Sequence, residues 1–122
     1  MPSKGIYNPT YFKNNPEEAN EEAVLYCVVL VNRKTFEREA IKIGIAKGRN
    51  WKDVIRRSKG FTGYDIRIQK VISGTLEEIY YLEEYLHELW AHKRLKPSNK
   101  FGGWSECFQV DDDIIRSVPA TL

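Results

Sequence analysis

The sequence predicts an α+β domain, with a small, mainly antiparallel three-stranded sheet flanked by helices. Three observations lead there. An apolar, β-branched run at 23–31 (AVLYCVVLV) has the length and two-sided hydrophobicity of a central strand. A second run, AIKIGIA at 40–46, follows after a short polar connection, which favours an antiparallel pair. An amphipathic helix opened by Thr75-Leu76-Glu77-Glu78 then dominates the second half of the chain.

Residues 1–22 are rich in Asn, Pro, Glu and Lys and read as an N-terminal extension, ordered in part through Tyr7, Tyr11 and Phe12. After the first strand, NRKTFERE makes a polar turn into the second. KGRN breaks that strand, and WKDVIRRS at 51–58 reads as a short helix with Trp51, Val54, Ile55 and Ser58 on one face. GFTG is a loop, and YDIRIQKVI at 64–72 alternates as a third strand. The long helix begins with a capping box, in which the Thr75 hydroxyl and the Glu78 side chain satisfy free N–H groups. It runs to about Arg94 and is stopped by Lys96-Pro97. SNKFGG is a loop, WSECFQV a short strand or extended segment, and DDDIIRSV a final helical turn or two. The predicted order is β-β-α-β-α-β(-α). It divides into the extension at 1–22, a domain at 23–110 and a short C-terminal helix or tail at 111–122.

A chain of 122 residues is one domain with room for one hydrophobic core. No apolar run reaches the roughly 18 residues of a membrane span. The first residues lack the apolar core of a signal peptide, which predicts a cytoplasmic location. Cys27 and Cys107 stand far apart with no C-x-x-C spacing, which argues against a zinc or redox motif and reads as two reduced packing residues. The histidines of HELWAH are five apart rather than four, so they do not share a helical face as a zinc helix requires.

Net charge is only +2, but it is unevenly spread. Between 42 and 70 stand nine basic residues (Lys42, Lys47, Arg49, Lys52, Arg56, Arg57, Lys59, Arg67, Lys70) against Asp53 and Asp65. Such a local excess suits a phosphate backbone, with Lys47, Arg49, Lys52 and Lys59 as candidate contacts. A solvated basic face is the alternative.

On a helical wheel the apolar arc of the long helix runs Leu89, Leu82, Leu86, Ile79, Trp90, Leu76 and Tyr80, while Glu77, Glu84 and Glu88 fall opposite. Glu83 does not. It falls between Trp90 and Leu76, with His87 one turn below. A carboxylate buried alone costs several kcal/mol, so this placement needs a reason. Either it pairs with a core Lys, Arg or Tyr, or it holds a divalent metal at the floor of a cleft.

Taken in order, the motifs resemble the GIY-YIG nucleases. The literal GIY at 5–7 is followed by NPTYFKNNPEE, which cannot form a core strand. The better match is Val24-Leu25-Tyr26, which places Tyr26 sixteen residues before Lys42 across a hairpin. IKIGIAKG fits the second motif, with Lys42 where the family usually has a Tyr. WKDVIRRS supplies a helix with Arg56 and Arg57, although the position most often filled by Arg falls near Val54. YYLEEYLHELW looks like the family's metal-binding helix and makes Glu83 its acid. KPSN places Asn99 sixteen residues later, near where many members carry an Asn, and FGGWSECF looks like the closing segment of a phage and bacterial branch that ends in a Glu and a Phe.

The resemblance covers about 23–110 and implies an endonuclease acting on DNA, with RNA not excluded as the substrate. It implies Tyr26 as general base, helped by Lys42 because an ammonium favours a nearby phenolate. Arg57 or Arg56 would bind the non-bridging oxygens, and Glu83 would hold one Mg²⁺ or Mn²⁺. His87 would orient Glu83 or a water, or serve as a core histidine. Specificity would come from a protein partner, a homo-oligomer or the extension. Two other readings remain: a nucleic-acid-binding module of the same fold without catalysis, consistent with Lys42 and the displaced arginine, and a structural domain.

Overall fold

The structure, a computed structural model, describes residues 7–48, 63–98 and 106–122. The helix expected at 51–58 lies outside them, as do Arg49, Lys52, Arg56, Arg57, Lys59 and Asn99.

The chain is α+β, with a four-stranded antiparallel sheet flanked by helices. Two short helices come first, α1 (Pro9–Asn14) and α2 (Pro16–Ala19). Strands β1 (Glu22–Asn32), β2 (Arg38–Lys47) and β3 (Tyr64–Thr75) follow, then α3 (Leu76–Leu89). A 3₁₀ turn (Ala91–Lys93), strand β4 (Cys107–Phe108) and α4 (Asp112–Ser117) are the last elements of the described residues. The strand order is β3-β1-β2-β4. The expected three strands are therefore four, because Cys107 and Phe108 pair with Lys42 and Ile41 at the edge of β2.

Strand β1 is central, and its alternation supplies both faces. Leu25, Cys27 and Val29 point into the cluster shared with Ile79, Leu86 and Phe108, while Val24, Tyr26, Val28 and Leu30 join Ala46, Tyr64 and Cys107 on the other side. Burial pushes both thiols up to about 12, so Cys27 and Cys107 are free, protonated packing groups.

The segment before β1 belongs to the core. Asn8 caps α1 by accepting from the Tyr11 amide at 2.7 Å, with Pro9 in the first turn, and Pro16 opens α2 in the same way. Phe12 and Ala19 are thereby buried against α3, where Phe12 meets the Tyr80 ring edge-on at 5.4 Å.

The α3 capping box forms as expected. The Thr75 hydroxyl accepts from the Glu78 amide at 3.2 Å, and Glu78 accepts from the Thr75 amide at 3.0 Å. The helix ends at Leu89, five residues short of the expected Arg94. Before Pro97 can act, the backbone is already claimed by β4: Leu95 donates to the Cys107 carbonyl and Gln109 to that of Lys93. Trp90 closes the helix and ties it to α4, its indole N–H donating to the Ser117 hydroxyl at 2.9 Å. Leu89 lies 42 % exposed at the rim of the expected apolar arc, not within it.

Thr75→Ala removes one half of the capping box and should cost about 1 kcal/mol. Urea unfolding followed by far-UV circular dichroism checks this, with Glu77→Ala as a neighbouring control expected to change stability much less.

Candidate functional site

The β1–β2 register sets the site. Tyr26 lies opposite Gly44, and Val28 opposite Lys42, so Tyr26 and Lys42 are diagonal neighbours on one face. Lys42 Nζ donates to Tyr26 Oη at 2.8 Å and lies 4.9 Å from the ring centroid. Gly44 makes this approach possible. A Cβ there would sit 2.6 Å from Tyr26 Oη and 2.7 Å from Lys42 Nζ.

Lys42 is 3 % exposed. Burial alone would lower its pKa, but the Tyr26 oxygen and the Glu106 carboxylate outweigh that and leave it raised, so the amine is charged. Its Nζ stands 3.5 Å from Glu106 Oε1.

Glu83 and His87 approach from α3, on the opposite face of the sheet. Glu83 is fully buried, as its position on the wheel implies, and His87 is 3 % exposed. The His87 Nε2 lies 3.9 Å from Glu83 Oε2 and 2.9 Å from the Ile43 carbonyl. That carbonyl can only accept, so Nε2 carries the proton. The β2–β4 ladder ends at Lys42, and His87 meets the backbone one residue beyond it.

Glu106, just before β4, links the two faces. Glu83, His87 and Glu106 each present one ligand atom, all within 4.8 Å of one another. Two carboxylates and an imidazole are a donor set that could hold a divalent metal ion.

Of the residues expected at the site, the structure thus joins Tyr26 to Lys42 and Glu83 to His87, with Glu106 between the pairs. Arg56, Arg57 and Asn99 lie outside the described residues. Lys47 is held by Glu18 at 3.1 Å and Glu21 at 2.9 Å, both of which raise its pKa, and must leave them to reach a phosphate. Tyr7 of the literal GIY lies elsewhere. Its hydroxyl meets Glu18 at 3.4 Å and its ring stacks on Phe12.

Sequence reasoning did not include Glu106 among the site residues. A signal was present: one acid within the otherwise apolar and aromatic stretch leading into Cys107-Phe108. It also passed over Glu39, which receives Asn32 Nδ2 at 3.2 Å, Ser98 Oγ at 2.5 Å and the Tyr64 hydroxyl. Glu39 thereby fastens the chain at Ser98 to the start of β2.

No family model matches the chain, and no curated protein or solved structure does either.

Gly44→Ala forces Tyr26 and Lys42 apart. It should cost about 1–3 kcal/mol, the usual scale of overpacking. Urea unfolding measures the loss, and the Tyr26 ring resonances should shift, whereas Gly48→Ala leaves them in place.

Partial burial tends to raise the Glu39 pKa, but the hydrogen bonds from Ser98, Tyr64 and Asn32 prevail and leave it lowered. A carboxylate lowered on folding stabilises fully above its unfolded pKa of about 4.3, and that stability is lost as pH falls through the folded value. Glu39→Gln should therefore be less stable than wild type at neutral pH, with the gap narrowing below about pH 4. Urea midpoints measured across pH 7 to 3 test this; a gap that stays constant would remove the carboxylate charge as its cause.

Proposed function

We propose that this protein is a metal-dependent endonuclease of GIY-YIG-like type that hydrolyses phosphodiester bonds of DNA. On this reading β1, β2 and β3 are the family's three-stranded core and β4 an addition at its edge. The observation that carries the reading is the buried Tyr26–Lys42 hydrogen bond of 2.8 Å, one carboxylate away from Glu83 and His87.

Lys42, kept charged by its surroundings, donates to the Tyr26 oxygen and stabilises negative charge there. As the phenolate, Tyr26 takes the proton of an attacking water and becomes the phenol. Glu83 would hold the divalent ion, with His87 and Glu106 beside it. Bound there, Mg²⁺ or Mn²⁺ supplies Lewis acidity to a phosphoryl oxygen. Arg57 or Arg56, assigned by resemblance, would give planar donors to the non-bridging oxygens.

A binding module without catalysis is the second reading. What favours it is Lys42 itself, a permanent cation where the resemblance expects a second phenol. The two readings differ in turnover, not in affinity for DNA.

Cleavage of supercoiled plasmid in Mg²⁺ or Mn²⁺ separates them. Tyr26→Phe removes one oxygen from a packed ring and should lower the rate by about 10²-fold or more while DNA binding persists. Glu83→Gln should abolish metal-dependent cleavage, and Tyr7→Phe should leave the rate near wild type. If wild type shifts DNA in a gel but never nicks it, the binding module is the right reading.

A further inference from the structure

We infer that Glu106 is shared between two cations: it is the counterion of Lys42 and also a ligand of the divalent ion at Glu83. The inference rests on the nuclease reading for the presence of that ion; the resemblance places Glu106 only within a closing segment, and what is added is its role toward both cations and the coupling between them.

Glu106 Oε1 stands 3.5 Å from Lys42 Nζ, and a Glu106 oxygen also lies within 4.8 Å of ligand atoms on Glu83 and His87. A carboxylate offers two oxygens and about four lone-pair sites, enough to serve both cations. The glutamate side chain is only 12 % exposed, so solvent does little to screen either interaction. Two carboxylates this close repel each other, and a cation drawn between them relieves the repulsion. The Ile43 carbonyl engages His87 Nε2, which leaves Nδ1 as the nitrogen with a lone pair to offer an ion.

A shared carboxylate has a consequence. Lys42 and the ion draw on the same negative charge, so each weakens the other's hold on Glu106, and by linkage the effect is reciprocal. When the ion binds, Lys42 loosens from Glu106 and keeps Tyr26 as its nearest partner, as the proposed base requires. Glu106 thus acts on Tyr26 through Lys42, as a positioning residue, and on the ion directly.

Calorimetric titration with Mn²⁺ alone, without nucleic acid, tests this. Glu106→Gln should weaken Mn²⁺ binding by about tenfold or more, the scale of losing a group around a metal. Glu83→Gln should weaken it at least as much. Lys42→Met should strengthen it several-fold, which a simple loss of structure would not do. In wild-type crystals soaked with Mn²⁺, the anomalous peak should lie within coordination distance of carboxylate oxygens of both Glu83 and Glu106, a measurement that holds even where a variant fails to fold. Loss of binding in Glu83→Gln but not in Glu106→Gln, or a peak on Glu83 alone, would overturn the sharing and leave the nuclease reading standing. Absence of Mn²⁺ binding by the wild type would overturn both.

Discussion

A charged amine is buried in the sheet, and much of the site follows from accommodating it. Lys42 occupies a strand position whose neighbours, Ile41 and Ile43, are wholly buried. An ammonium taken from water costs several kcal/mol unless paired and hydrogen-bonded. The fold meets that cost twice, with the Tyr26 oxygen at 2.8 Å and the Glu106 carboxylate at 3.5 Å. The first depends on the β1–β2 register, since a slip of one residue would send Tyr26 to the opposite face. It depends also on Gly44, where any side chain would occupy the space of the hydrogen bond. The second depends on β4, whose two-residue ladder fixes Glu106 beside the β2 edge.

The shortness of β4 matters as much as its presence. A longer ladder would have paired the backbone at Ile43 and closed the edge against side chains from α3. Because the ladder stops at Lys42, the Ile43 carbonyl is left for His87, and α3 can bring Glu83 to the same margin. The site therefore lies across an edge of the sheet, not on a face, with phenol and amine from one side and carboxylate and imidazole from the other. Such a position gives access to groups of opposite character without crowding them into one pocket.

The sequence made some of this legible and hid the rest for identifiable reasons. The strands were readable because β1 is apolar at nearly every position and β2 follows across a short turn. The phase of α3 was readable from one anomaly, an acid at 83 inside an apolar arc, and the capping box fixed where that helix starts. The helices before β1 went unread although Asn8-Pro9 and Asn15-Pro16 are both start signals, because Asn and Pro in number resemble an unstructured segment. The early end of α3 was illegible from local pattern, since it follows from the backbone bonds of Lys93 and Leu95 around β4, and although WSECFQV reads as a short strand, nothing local says that it docks Glu106 beside Lys42 and Glu83. Long-range contacts of this kind leave no periodicity behind.

Charge counting shows the same limit from another side. Nine basic residues between 42 and 70 suggest one continuous phosphate-binding surface. Lys42 instead lies inside the sheet, Lys47 is held by Glu18 and Glu21, and Lys70 donates to the Val118 carbonyl, while Arg67 is exposed. Three of the four described cations therefore serve the fold before they can serve a ligand. A lysine already bound to two carboxylates gains little by exchanging them for one phosphate, whereas an uncommitted cation releases a counterion from the nucleic acid. Under the nuclease reading, contact with the backbone falls to exposed Arg67 and to the five basic residues from Arg49 to Lys59. That group follows β2 directly in the chain, so the strand that carries Lys42 into the site also leads into the residues that would hold the substrate.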